Sequence, residues 1–144
     1  MTKICDSTLA RAFQQTDYRV LADGQWHTLT VGAACPAPLR TWLITHGNSR
    51  CAWIITAHNP QAEIADAQAN AERAAALQAW LDAAGHTYTA TDSCAHSGDW
   101  PSEPGVCVLD MDEGLARALA LRFDQVAMIA VATEHTVKLV WVDG

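Results

Sequence analysis

Short apolar runs bounded by Gly, Pro, Asn or Asp recur along the chain, which is the pattern of β-strands. Two β-rich runs, 18–22 and 26–31, flank an Asp-Gly pair and predict an antiparallel hairpin. Continuous apolar runs predict strands that are buried on both faces. These runs are 51–57, 105–111 and 126–132. A weaker extended segment at 87–91 and an alternating run at 136–142 complete the set, and the alternating run is typical of an edge strand.

Helical spacing of apolar residues separates these runs. The longest predicted helix, 61–84, takes Asn59 as its N-cap, has Pro60 in its first turn and ends at Gly85. Asn70 falls on its apolar stripe, so this amide is predicted to face inward. The stripe comprises Ala67, Asn70, Ala74, Leu77, Leu81 and Ala84. Shorter helices are predicted over 7–16, 36–46 and 112–123.

The order of these elements predicts an α/β domain, with α+β as the alternative, in which helices pack on a mixed sheet of about six strands. The strand–helix–strand order from 105 to 132 suggests a parallel crossover. A chain of 144 residues is long enough for one core, and no repeat or composition break divides it. Residues 1–144 are therefore predicted to form a single domain.

Charge and composition exclude several classes of protein. Nine Lys and Arg against 16 Asp and Glu give a net charge of -7, which repels phosphate backbones, so no nucleic-acid partner is expected. No run reaches the roughly 18 apolar residues of a membrane helix, and the N-terminus has no export signal. The five cysteines are odd in number and widely spaced, and reduced cytosolic thiols are the simple interpretation. The chain is predicted to be soluble and cytoplasmic.

Three polar segments adjoin predicted strands: Thr56-Ala57-His58-Asn59-Pro60, Gly98-Asp99-Trp100-Pro101-Ser102-Glu103-Pro104 and Phe123-Asp124-Gln125. Together with Trp53-Ile54-Ile55 before the first segment, Asn70, and Val126-Ala127 after the last, they resemble the bacterial domain of unknown function numbered 3293 (DUF3293). The resemblance covers about residues 18–140. It implies a small stand-alone intracellular protein with no assigned activity.

This sequence departs from the family pattern at two positions. Gly105 stands where the family usually has Ser, and Asp124 stands where it usually has Gly. A hydroxyl at position 105 therefore has no role in this chain. Because the resemblance implies no catalytic residues, it carries none over to these positions.

Thr56, His58 and Asn59 follow the predicted end of a strand and precede the predicted start of a helix. Free N–H groups at such a helix start attract anions. Open α/β sheets bind ligands at the carboxyl ends of their strands, so a polar pocket is predicted at the carboxyl ends of the central strands. A small polar or anionic ligand is one interpretation. The alternative is that Asn59 caps the helix while Thr56 satisfies backbone groups.

A buried Asn70 needs hydrogen-bond partners, and Glu103 and Gln125 are the candidates. This network would either bind a polar ligand or stabilise the core. Trp100 and Glu103 lie on a predicted loop over 92–104, where an aromatic platform beside a carboxylate suits a base, a sugar or a cation. Trp100 could equally cover the core.

His58 and Glu103 are the candidates for acid–base catalysis, although a histidine after a strand is more often solvated or capping. Cys94-Ala95-His96 contains the only close Cys/His pair, so no metal site is predicted. Phosphate-loop and dinucleotide fingerprints are absent, and no cofactor is predicted.

The sequence is compatible with two classes of biochemical function and one structural role. One is a binding or regulatory module for a small molecule or peptide. Its pocket is framed by Thr56, Asn59, Asn70, Trp100, Glu103 and Gln125. The other is a hydrolase or transferase that uses His58 and Glu103 at the same pocket. A third, structural possibility is a homodimer joined through the strand that contains Trp141.

Overall fold

Seven strands and four helices make up the computed structural model, which describes residues 7–48, 51–98 and 100–142. The helices are α1 (Ser7–Gln14), α2 (Ala37–His46), α3 (Ala67–Ala84) and α4 (Glu113–Arg122). The strands are β1 (Thr16–Ala22), β2 (Gln25–Leu29), β3 (Cys51–Ile55), β4 (Tyr88–Ala95), β5 (Glu103–Val108), β6 (Ala127–Ala132) and β7 (Lys138–Trp141). Cys5 and Asp99 lie outside the described residues.

One sheet contains all seven strands, in the order β2-β1-β4-β5-β3-β6-β7, and every neighbouring pair is antiparallel. The α/β class is confirmed, with seven strands rather than about six. β5 and β6, which α4 connects, do run parallel to each other, but β3 pairs with both and separates them. The sheet is therefore antiparallel throughout rather than mixed.

The hairpin between β1 and β2 has the turn that its sequence predicts. Asp23 and Gly24 have φ angles of 55° and 76°. Positive φ at both central residues matches the turn to the right-handed twist of the strands, and Asp-Gly tolerates it. β1 then pairs on its other side with β4, so the hairpin joins the rest of the sheet.

α3 begins six residues later than predicted. Its N-cap is Asp66, whose side chain accepts a hydrogen bond from the Ala69 N–H at 2.8 Å. The prediction that Asn59 caps this helix is wrong, because Asn59, Gln61 and Ala62 all have positive φ angles and leave only a 3₁₀ turn at Pro60–Ala62. Left-handed backbone cannot continue into a right-handed helix.

The predicted loop over 92–104 is much shorter, because β4 extends to Ala95 and β5 begins at Glu103. Ser93 pairs with Glu103 in this register, and Asp92 pairs with Pro104. The predicted extended segment ended at residue 91 because the following residues of β4 are polar and break the apolar pattern. Only residues 96–102 form the connection.

The sheet separates two hydrophobic cores. One lies between the sheet and helices α3 and α4, where Leu77, Leu81 and Leu119 meet Ile55 and Val106. The other lies on the opposite face under α2, whose Leu39 and Leu43 are buried there. Ala67 and Ala84 of the predicted stripe are exposed, whereas Asn70 is buried as predicted.

Cysteines contribute to the second core as small apolar residues. Cys35 and Cys107 are buried there, and complete burial raises the pKa of the Cys107 thiol to about 12. Within the described part of the chain, no helix combines the length and the hydropathy needed to cross a bilayer.

The β7 edge, through which the homodimer was predicted, already makes several contacts within the chain. Arg117 Nη1 donates to the carbonyl oxygens of Trp141 at 2.6 Å and Val142 at 3.1 Å. The Phe13 ring meets the Trp141 ring edge-on at 5.9 Å. These contacts leave less of the edge for a second copy, and the homodimer stays a prediction.

Candidate functional site

Three of the predicted polar segments meet at one edge of the sheet. Because β3 runs antiparallel to both β5 and β6, the end of β3 lies beside the beginnings of β5 and β6. Thr56 follows β3, Glu103 begins β5 and Gln125 precedes β6. We call this edge the site edge. Only Thr56 lies at the carboxyl end of a central strand as predicted. Glu103 and Gln125 lie at the amino ends of β5 and β6, because these strands are antiparallel to β3.

Asn59 and Asn70 form a buried amide pair at the site edge, with exposed fractions of only 4% and 8%. Asn70 Oδ1 accepts from the Asn59 backbone N–H at 2.8 Å, and Asn70 Nδ2 donates to Asn59 Oδ1 at 2.9 Å. Asn59 Oδ1 also accepts from the Ala65 N–H at 2.9 Å. The pair therefore fixes the left-handed segment 59–62 and the residues after it onto α3.

Glu103 supports this pair from the sheet. Its Oε2 accepts from Asn59 Nδ2 at 2.8 Å and from Trp100 Nε1 at 2.6 Å. Glu103 and Gln125 are not the direct partners of Asn70 that the sequence predicted, and the network has Asn59 at its centre. Asn70 has no hydrogen bond to Glu103 or Gln125 among the described residues, and both reach it only through residues 58 and 59.

Thr56 and Gln125 hold the backbone of His58. Thr56 Oγ1 accepts from the His58 N–H at 3.1 Å and donates to the Pro104 carbonyl at 2.8 Å. Gln125 Nε2 donates to the His58 carbonyl at 3.1 Å. The backbone N–H and C=O groups of His58 are therefore both hydrogen-bonded by side chains next to the strands. These bonds hold the backbone of His58 in place.

Arg73 on α3 is a supporting residue that sequence analysis missed. Its Nε donates to the Ala57 carbonyl at 2.9 Å, and its Nη2 donates to the Phe123 carbonyl and lies 3.4 Å from Asp124 Oδ2. Its guanidinium also lies 5.9 Å from the centre of the Phe123 ring. The available signal was its position three residues after Asn70, one helical turn along the same face.

A cleft of about 660 Å³ opens beside this network, between α3 and the segment that begins β5. Its walls are mostly alanine and proline, and its polar groups are few. The lining residues are His58, Asn59, Ile64, Ala65, Ala67, Asn70, Ala71, Ala74, Ala75, Gln78, Pro101, Ser102 and Pro104. Ile64 is 61% exposed at its rim. The predicted stripe placed Ala67 and Ala74 toward the core and included neither Ala71 nor Ala75, so this wall was not predicted.

The six predicted pocket residues divide into two layers. Asn59 and Asn70 line the cleft. Thr56, Trp100, Glu103 and Gln125 lie behind it and act through hydrogen bonds to His58, Asn59 or Glu103. Glu103 falls in the back layer because successive residues of a strand face opposite sides, and its neighbours Ser102 and Pro104 take the cleft side.

The His58 ring is a lining group whose hydrogen-bonding capacity is unused within the described part of the chain. Among the described residues it has no hydrogen-bond partner, although both of its peptide groups are paired. Partial burial lowers the pKa of the His58 imidazole, and the negative charge of Glu103 opposes this shift without cancelling it. The ring is therefore neutral at pH 7, with one nitrogen free to accept and one to donate.

We expect the His58 ring to titrate below the value of about 6.5 that is usual for histidine. Burial penalises the charged ring in the folded state only, so the free energy of unfolding decreases as pH falls from about 6.5 through the lowered pKa. An NMR titration of the histidine ring signals, assigned with His58→Gln, measures this midpoint. A midpoint at or above 6.5 would show that the ring is not desolvated.

His58 and Glu103 do not form a hydrogen-bonded acid–base pair. Glu103 Oε2 is engaged by Trp100 and Asn59, and no hydrogen bond joins it to the imidazole. Cys94 and His96 lie on β4 and its following turn, where they contact Arg19 and Asp17 respectively. Within the described ranges, no three His, Cys, Asp or Glu side chains are grouped closely enough to hold a metal ion.

The anion site expected at a helix start after Asn59 loses its physical basis. The helix begins at Ala67, and the Asp66 carboxylate already accepts from the N–H of Ala69 in its first turn. A carboxylate in this position neutralises the positive end of the helix dipole.

Comparison with known proteins identifies a family and nothing closer. The family described as "Protein of unknown function (DUF3293)" matches residues 55–128, a range that contains every residue of the site edge and the cleft. No curated protein and no solved structure matches the chain.

Proposed function

Because the chain belongs to the DUF3293 family of proteins of unknown function, we propose its function from the cleft: it binds a small organic molecule whose polar group contacts His58. A volume of about 660 Å³ lies within the range of small-molecule sites. Such sites combine apolar walls with a few fixed polar groups, which is the composition of this cleft. The observation that carries the proposal is the unpartnered imidazole on its wall, whose backbone N–H and C=O groups are both hydrogen-bonded.

The backbone around the cleft supports a functional role as well. Asn59, Gln61 and Ala62 have φ angles between 50° and 59°, although none is glycine. Left-handed conformations cost roughly 1–2 kcal/mol for each such residue, and they concentrate at binding sites where surrounding contacts maintain them. Here the maintaining contacts are those of Asn70, Glu103 and the backbone of Asp124, which accepts from Gln61 N–H at 2.7 Å.

A second candidate function is catalysis at the same cleft, in a hydrolase or transferase. The observation in its favour is again His58, because a neutral imidazole with a free nitrogen can act as a general base on a bound molecule. Glu103 would then act through its charge rather than as a proton-transfer partner, since its hydrogen bonds go to Asn59 and Trp100. His58→Gln separates the two candidates, because it retains a polar contact but cannot relay a proton at neutral pH.

A thermal-shift screen tests the binding function. The panel contains nucleotides, sugars, amino acids, amines, short peptides and divalent metals, and a ligand of the folded state raises Tm. Ala71→Trp fills the cleft from an exposed lining position, whereas Ala79→Trp adds the same side chain on an exposed position of α3 outside the lining. We expect at least one compound to raise Tm in the wild type and in Ala79→Trp but not in Ala71→Trp. A panel without any such compound would refute the proposed binding site.

A further inference from the structure

The charges around the cleft favour one class of ligand. No Lys or Arg is among the lining residues, which are all uncharged when His58 is neutral. Arg73, the cation on the adjacent part of α3, donates to the Ala57 and Phe123 carbonyls instead. An anionic group in the cleft would therefore have no cationic partner among the described residues.

Negative charge, in contrast, lies behind one wall of the cleft. Glu103 is half-buried directly behind Asn59, and its carboxylate is satisfied only by neutral donors, with no Lys, Arg or His nitrogen within 4.0 Å in the described part of the chain. Glu103 acts electrostatically on His58, so its charge extends to the cleft wall.

We propose that the ligand of this cleft is an organic amine, whose ammonium group donates a hydrogen bond to the His58 ring while its apolar part packs on the alanines of α3. This inference rests on the proposed binding function and names its ligand class. The imidazole supplies the acceptor, Glu103 supplies the favourable potential, and Ala71, Ala74 and Ala75 supply a flat apolar wall. A neutral imidazole could also donate to an anion, so the charge of the surroundings decides between the two.

Binding of an amine depends on pH in a defined direction. Protonation of His58 removes the acceptor nitrogen and places a second positive charge beside the ammonium, so affinity decreases as pH falls through the lowered pKa of His58. The other charged groups on the surrounding elements are Glu103 on β5, Asp66 and Arg73 near and on α3, and Asp124 before β6.

Three compounds of similar shape and different charge test the inference: 2-phenylethylamine, 2-phenylethanol and 3-phenylpropanoate. We expect calorimetric titration at pH 7.5 to show the amine binding about five- to tenfold more tightly than the alcohol, and the carboxylate binding most weakly. Glu103→Gln should reduce the preference for the amine over the alcohol several-fold. His58→Gln should abolish the decrease in amine affinity between pH 7.5 and 5.5.

Equal binding of the amine and the alcohol, or tighter binding of the carboxylate, would overturn the ligand class. If Ala71→Trp still prevented that binding, the cleft itself would remain the ligand site. If none of the three compounds bound while a panel compound without an amino group did, the amine inference alone would fail. If no compound of either set bound, both the inference and the proposed function would fail.

Discussion

Replacement of Asn70 with alanine is expected to lower the free energy of unfolding by roughly 2–4 kcal/mol. The change removes the acceptor of the buried Asn59 N–H and one donor to Asn59 Oδ1. It also removes the 3.3 Å hydrogen bond to the Ala65 carbonyl. Buried polar groups that lose their partners incur most of their desolvation cost, and the left-handed segment 59–62 loses its main contact with α3.

Chemical denaturation measures this loss, with Gln68→Ala as the matched control. Gln68 is exposed on the same helix. Among the described residues its side chain hydrogen-bonds only to Glu72, so its replacement should change stability by about 0.5 kcal/mol or less. Asn70→Asp keeps the acceptor of the Asn59 N–H but places a carboxylate oxygen against two acceptors, Asn59 Oδ1 and the Ala65 carbonyl, so it should also destabilise the fold. A loss below about 1 kcal/mol in Asn70→Ala would mean that the amide pair does not maintain the segment.

Gly105→Ala is expected to cost roughly 1–3 kcal/mol through overpacking. A Cβ atom at this position would lie 2.8 Å from the Ile55 carbonyl oxygen and 2.9 Å from Thr91 Oγ1. The first of these contacts is with backbone, so β3 or β5 must move to relieve it. This chain therefore requires a glycine at position 105.

Thermal or chemical denaturation of three further variants tests the cause. In Gly105→Ala combined with Thr91→Ala, the hydroxyl contact is gone, and Thr91 Oγ1 has no hydrogen-bond partner to lose in the described residues. The double variant should therefore recover part of the loss relative to Thr91→Ala alone. Gly114→Ala on α4 serves as control, because its nearest contact is 3.4 Å and alanine favours the helix by about 1 kcal/mol. Unchanged stability in Gly105→Ala would contradict the close approach of β3 and β5.

Local features of the fold were predictable because local chemistry determines them. Asp23-Gly24 predicts the hairpin turn, and Gly85, with a φ angle of 78°, ends α3 where expected. The insertion of β3 between β5 and β6 was not predictable, since it depends on pairing between segments far apart in the chain. Periodicity specifies which residues are buried but not which strands are neighbours.

The candidate site shows the same division. Polar residues that adjoin strands in the sequence come together at the site edge. The apolar stripe predicted the burial of Asn70. The predicted start of α3 was wrong because Gln61 and Ala62 adopt a left-handed backbone conformation, which neither residue type indicates. The separation into lining and supporting layers depends on the exact strand register, which places Ser102 and Pro104, but not Glu103, on the cleft.

We propose that the cleft beside α3 is a ligand site. His58, whose backbone is held by Thr56 and Gln125, provides the polar contact to the ligand. Mapping the amide NMR shifts of the protein during titration with 2-phenylethylamine tests it most directly. We predict saturable shift changes concentrated at His58, Ala71, Ala74, Gln78 and Ser102, with a dissociation constant that Ala71→Trp increases strongly. Largest changes on a distant surface, such as around Trp26 on β2, or no changes at high millimolar amine, would contradict the account.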